Sequence, residues 1–163
     1  MPLVLNSSSI SGLAAVGGLS SPQTGSVLQV VNATYSTQTS TTSTSYVDTG
    51  LSASITPTSS SSKILVFVDL AGVGKEGGGS GQRIFTRLVR NSTQLYVIDA
   101  LIAYTATDGT STIGSSSTNY LDSPATTSAT TYKAQFYNQA GSGLVYVQWN
   151  TSTSTITLME IAA

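Results

Sequence analysis

"YSTQTSTTSTSYVDTG", residues 35–50, is built almost entirely from hydroxyl residues and holds no Lys, Arg or Glu. Read as a linker, it would cut the chain into two weak halves. Read as ordered structure, it makes one β domain with an unusual surface. Its C-terminal end decides between these. In "YVDTGLSASI" (46–55), Val47, Thr49, Leu51, Ala53 and Ile55 fall on one face and Asp48, Gly50, Ser52 and Ser54 on the other. That is strict period two, the pattern of a half-buried strand. It runs out of the hydroxyl stretch without a break. Thr carries a branched Cβ that suits a pleated surface. The stretch is therefore expected to be ordered, as strand edges or a long β connection.

The same period recurs on both sides. "SVLQVVNATY" (26–35) places Val27 and Val31 opposite Leu28 and Val30. "TPTSSSS" (56–62) reads as a turn, and "KILVFVDLA" (63–71) is apolar on both faces, as a central strand would be. "QRIFTRLVR" and "TQLYVIDALIAY" are strands joined by the turn at Asn91 and Ser92. "TTYKAQFYNQ" sets Tyr132, Ala134 and Phe136 against Lys133, Gln135 and Tyr137. "AGSG" then closes a hairpin into "LVYVQWN", with Val145, Val147 and Trp149 on one face, and "TITLMEI" is the last strand. Two long loops are expected, at 72–81 ("GVGKEGGGSG") and 105–118, with "NYLDSP" a short edge strand. Lys75, Glu76 and Asp108 are the exposed loop residues of this reading. Eight or nine strands, turns every 8–12 residues and no helical period describe an all-β antiparallel sandwich or jelly roll of about eight strands.

Bulk composition narrows the function. The chain has 163 residues, enough for one domain with a core, 39% hydrophobic content and only 8% charged content. About a third of it is Ser or Thr. Such a surface is solvated by hydroxyls and amides, and it lets many copies sit together without like-charge repulsion. A net charge of −1 gives no electrostatic footprint for nucleic acid. No segment has the roughly 20 apolar residues of a membrane helix, so no membrane insertion is expected. The start lacks the basic region of a secretory signal and is read as retained.

The sequence contains neither His nor Cys, which removes the usual general base, the thiolate nucleophile and the soft metal ligands. Asp48, Asp69, Glu76, Asp99, Asp108, Asp122 and Glu160 are scattered, with no spacing that groups a glycosidase pair. "GVGKE" fails the phosphate-loop pattern, because Glu76 follows Lys75 where Ser or Thr is needed. No enzymatic activity, cofactor or metal is expected. Arg83 and Arg87 share one face of their strand. They read either as a solvated edge or as inter-subunit partners of Asp69 or Asp99. With eight Tyr against three Phe and one Trp, the aromatic supply suits interfaces and carbohydrate stacking.

Three stretches together carry a resemblance. They are "MPLVLNSSSISGLAAVGGL" (1–19), "GSVLQVVNATYSTQTSTTSTSYVDTGLSASITPTSSSSKILV" (25–66) and "YKAQFYNQAGSGLVYVQWNTSTSTITLMEIAA" (132–163). In this order they resemble a domain common in structural proteins of tailed bacteriophages, cyanophages among them. The resemblance implies a jelly roll similar to the globular heads of complement and tumour necrosis factor proteins. It also implies a homotrimer, a place on the virion surface and no catalysis. The chain then divides into an N-terminal arm, residues 1–25, that docks on another virion protein of capsid or tail, and a knob, residues 26–163. Leu3, Val4, Leu5, Ile10 and Leu13 are the docking residues of the arm. Arg83, Arg87, Tyr132, Phe136, Tyr146 and Trp149 are the candidate trimer contacts. The arm is too short for a long fibre shaft even when extended, so capsid decoration or a short head fibre is expected. A tail-fibre tip that binds host surface glycan is the alternative. A carboxylate-based glycan hydrolase is the third reading.

Overall fold

The structure is a computed structural model and describes residues 22–77, 81–103 and 112–163. The docking residues of the arm, and Asp108, lie outside the described residues. Ten strands follow in chain order: β1 (Val27–Tyr35), β2 (Thr39–Thr41), β3 (Val47–Ile55), β4 (Lys63–Glu76), β5 (Ile84–Arg90), β6 (Thr93–Ile102), β7 (Thr112–Asp122), β8 (Thr130–Asn138), β9 (Leu144–Val147) and β10 (Ser154–Ile161). A single 3-10 turn, Trp149–Thr151, separates β9 from β10.

Two of these breaks are interruptions of one strand position. Along β4, residues 63–69 pair with β10 and residues 74–76 pair with β9, while β7 runs down the opposite side. On the far side of β10 and β9 lie β1 and β2 respectively. The first sheet therefore has four columns, β1/β2, β9/β10, β4 and β7, and the second has β3, β8, β5 and β6. Counted by chain position these read 1-8-3-6 and 2-7-4-5, all antiparallel. This is the strand order of a jelly roll, whose two four-stranded sheets pack face to face.

The core lies between the sheets and follows the period read from the sequence. β3 turns Thr49, Leu51, Ala53 and Ile55 inward, β4 turns Ile64, Val66, Val68 and Leu70, and β8 turns Tyr132, Ala134 and Phe136. Each Leu, Ile, Val or Phe among them contributes roughly 1.5–3 kcal/mol by leaving water. Where the ladder breaks, buried hydroxyls and amides take over its hydrogen bonds. At the bulge of β4 between Leu70 and Val73, the N–H of Ala71 donates to Ser154 Oγ at 3.0 Å. The carbonyl of Ala71 accepts from Gln148 N at 3.0 Å. In β3, Thr49 Oγ1 donates to the Ala134 carbonyl at 2.9 Å and accepts from Leu51 N at 3.2 Å.

The hydroxyl stretch is ordered, and its hydroxyls hold it. After β2 the chain crosses from the first sheet to the second. Thr41 Oγ1 accepts from Ser43 N and Ser43 Oγ accepts from Ser45 N, both at 3.0 Å. These are the short side-chain turns that Ser and Thr favour. The Ser43 carbonyl accepts from Asn138 N at 2.9 Å, which pins the crossing to the end of β8.

Four expectations are corrected. Residues 112–118, expected as loop, belong to β7, an 11-residue strand paired with β4 along most of its length. The segment 72–76, also expected as loop, is the end of β4. Lys75 there is fully buried, and only Glu76 of the pair is exposed. "AGSG" closes no hairpin, because β8 lies in the second sheet and β9 pairs with β2 and β4 in the first. β4 is central but not covered on both faces: Phe67 and Asp69 are exposed.

Candidate interaction surfaces

The outer face of the second sheet gathers the planar polar and aromatic side chains. β5 places Arg87 opposite Gln135 of β8, which lies opposite Asp48 of β3. Arg87 Nε donates to Gln135 Oε1 at 2.8 Å and its Nη1 donates to Gln94 Oε1 at 2.9 Å. Its guanidinium carbon sits 3.8 Å from the centre of the Tyr46 ring, a close cation–π contact. Gln135 Nε2 donates to Asp48 Oδ1 at 2.6 Å, and Lys133 Nζ reaches the same carboxylate at 2.9 Å. Burial works against the charge of Asp48. Hydrogen bonds from Gln135 and Lys133, with Arg87 nearby, outweigh it and hold the carboxyl below its ordinary range.

Aromatic rings continue the row. Tyr137 meets Tyr46 edge-on at 4.6 Å between ring centres and stacks on Phe85 at 4.9 Å. Arg83 lies over Phe85 at 5.7 Å. Burial, then the neighbouring Tyr137, raises the Tyr46 hydroxyl above its ordinary value, so it stays neutral at physiological pH. The arrangement offers hydrogen-bond donors and acceptors beside half-buried rings. Arg83 and Arg87 therefore do share a surface, but Arg87 is paired with glutamines of its own chain. Arg90 instead donates from Nη1 to both oxygens of Asp122, at 2.9 and 2.8 Å. Tyr132 Oη donates to Asp122 Oδ2 at 2.6 Å, deep in the sandwich. Burial and the Asp122 charge push the Tyr132 hydroxyl far above its ordinary range.

Three of the candidate trimer contacts are corrected here. Tyr132, Phe136 and Tyr146 have no exposed surface, because their strands turn them into the core. They pack the interior of the sandwich and offer no surface to a partner. Trp149 is half-buried at the 3-10 turn, tilted against the Tyr146 ring at 4.6 Å.

The outer face of the first sheet is different, and its apolar rows escaped the sequence reading. Pairing aligns Val30, Met159, Leu65 and Leu121 in one row across all four columns. Val30 is 54% exposed, Leu121 51% and Phe67, in the next row, 42%. Among the described residues no strand covers them. The signal lay in β1 and β4, whose two faces are both apolar in sequence; only the cross-strand register shows that the second faces line up. Beside Phe67 a shallow groove runs between Asp69, Ser117, Asn119 and Thr155.

A buried carboxylate closes the end of this sheet. Glu160 Oε1 accepts from Thr58 N and Thr58 Oγ1, both at 2.7 Å, and Oε2 accepts from Gln29 Nε2 at 2.6 Å. Burial alone would raise its pKa, but these donors hold it down to about 2. It ties β10 to β1 and to the turn before β4. Among the described residues no group of three or more His, Cys, Asp or Glu comes together to hold a metal. No helix there is long and apolar enough to cross a membrane.

The sequence matches no protein-family model and no curated relative. Among solved structures it is similar to the infectious bursal disease virus VP2 subviral particle, at 15% identity and a TM-score of 0.42, covering 83% of this chain and 37% of that one. It is also similar to infectious bursal disease virus, Gx strain, at 15% identity and a TM-score of 0.36, covering 84% of this chain and 37% of that one. The chain thus spans little more than a third of the length of either.

Proposed function

We propose that this chain is a non-enzymatic structural protein of a virus particle of the tailed-phage kind. Residues 26–163 form a surface knob, and residues 1–25 anchor it through Leu3, Val4, Leu5, Ile10 and Leu13 as a capsid decoration or short head fibre. The observation that carries this reading is the outer face of the first sheet. On a chain with so little charge, Val30, Met159, Leu65 and Leu121 form a continuous row that faces outward across the first sheet. Contiguous apolar surface of that kind marks an assembly module. Several copies on one particle, three by the family resemblance, multiply a weak arm contact by avidity.

Purified heads and purified tails, each mixed with the full-length chain, test the proposal. The chain is expected to cosediment with heads to saturation. A Leu3→Ser, Leu5→Ser, Ile10→Ser variant is expected to lose that binding with an unchanged circular dichroism spectrum. Binding to neither component refutes the reading. A second reading, a tip that recognises host surface glycans, is favoured by the Arg87, Tyr46, Gln135 and Asp48 row. Binding to tails, together with adsorption to host cells that Arg87→Ala abolishes, would establish it.

A further inference from the structure

We infer that the outer face of the first sheet is where two copies of this chain meet, face to face about a twofold axis. The inference deepens the structural role just proposed and rests on it, because it names the surface through which the knob assembles with itself.

A sheet face that meets water normally carries polar side chains. Here Val27, Ile161 and Lys63 form one row, Val30, Met159, Leu65 and Leu121 the next, and Asn32, Thr157, Phe67 and Asn119 the third. The charges in and beside these rows are Lys63 and Asp69, both exposed, at opposite ends of the outward side of β4. They lie six positions apart, about 20 Å along a strand. A twofold axis lying in the contact plane and crossing β4 near Val66 runs the two β4 strands antiparallel. It brings Lys63 of each copy over Asp69 of the other and Phe67 over Leu65, while Val30, Met159 and Leu121 lie over Asn32, Thr157 and Asn119 of the other copy. Along β4, in its two charged ends and its Leu65 and Phe67 contacts, the face is thereby complementary to itself, the requirement for a contact between identical subunits. Residues that would oppose any partner carrying net charge are matched by a second copy. The net charge of −1 per chain adds little repulsion to the pair.

The same axis predicts a charge-swap result that a merely sticky apolar face would not give. Sedimentation of the full chain over a range of concentrations is the measurement. Wild type is expected to associate in even numbers, two copies, or six where the knob also trimerises through another surface. Lys63→Asp and Asp69→Lys are each expected to weaken pairing by about tenfold or more, since each sets like charges opposite one another. The double variant is expected to restore it. Phe67→Ser with Leu121→Ser, both exposed and off the core, is expected to abolish it while the circular dichroism spectrum stays unchanged. A monomer at high concentration, an odd copy number insensitive to the single reversals, or a double variant that fails to rescue overturns the inference. A monomer that still cosediments with heads overturns only this contact. A pair that binds neither heads nor tails overturns only the virion role.

Discussion

Gly72 shows how much one residue decides. It sits in the β4 bulge at φ +59°, where a Cβ would lie 2.5 Å from the backbone nitrogen of Trp149. Both the backbone conformation and the space exclude a side chain. Gly72→Ala is expected to cost about 2–4 kcal/mol in chemical denaturation, from strain and a displaced 3-10 turn. The Arg90–Asp122–Tyr132 cluster is the second such point. Arg90→Ala leaves the buried Asp122 with Tyr132 alone, and is expected to cost about 2–4 kcal/mol, below the range for fully buried pairs because Arg90 is partly exposed. Tyr132→Phe keeps the ion pair and loses one hydrogen bond, about 1–2 kcal/mol. If the two variants cost the same in denaturant, the ion pair does not carry the cluster. Glu160 gives the pH response. Its folded pKa, about 2, lies below the ordinary 4.5. The charged form therefore stabilises the fold above the unfolded value, and this stability is lost as pH falls from about 4.5 toward 2. The loss expected over that window is roughly 2–3 kcal/mol. Glu160→Gln is expected to be weaker at pH 7 and flatter in acid, read from melting temperatures across pH 2–7.

At the scale of elements, β7 is the test of how hydroxyl-rich chain becomes strand. Ser116 and Asp122 face inward while Ser115, Ser117 and Leu121 face out. Those amides of residues 116–122 that turn toward β4 are expected to exchange slowly, every second one along this edge strand, whereas β10, paired on both sides, is protected throughout. Exchange within seconds would restore the loop reading. The strands with strong period two, β3 and β8, were legible because alternation is a local property of their own residues. β7 was not, since "TIGSSST" has no apolar alternation, and β4 supplies its pairing. The continuation of β4 through Gly72 to Lys75 was hidden for a related reason. "GVGKEGGG" looks like loop, and it is the bulge and the neighbours β7 and β9 that make its first half strand. The false hairpin at "AGSG" came from judging pairing by proximity in sequence, which holds here for β5 and β6 but not for β8 and β9, which lie in opposite sheets. At the site, Arg83 and Arg87 were visible as a row, but their partners Gln135, Gln94 and Tyr46 come from elsewhere in the chain.

For the whole molecule, composition and topology converge. Two four-column sheets need no charged surface to fold, and this chain has little. Its core aromatics Tyr132, Phe136 and Tyr146 are consumed inside, so the proposed assembly rests on what remains outside: the apolar row of the first sheet, the polar-aromatic row of the second, and Tyr96, Val97 and Leu101 on β6. The central claim is that this is a component of a particle's surface. Gold-labelled antibody raised against the full chain, applied to intact purified virions and viewed by electron microscopy, tests it most directly. The account predicts label on the outside of the particle, in many copies on the head. Particles that carry none, while infected cells contain the protein, would contradict it.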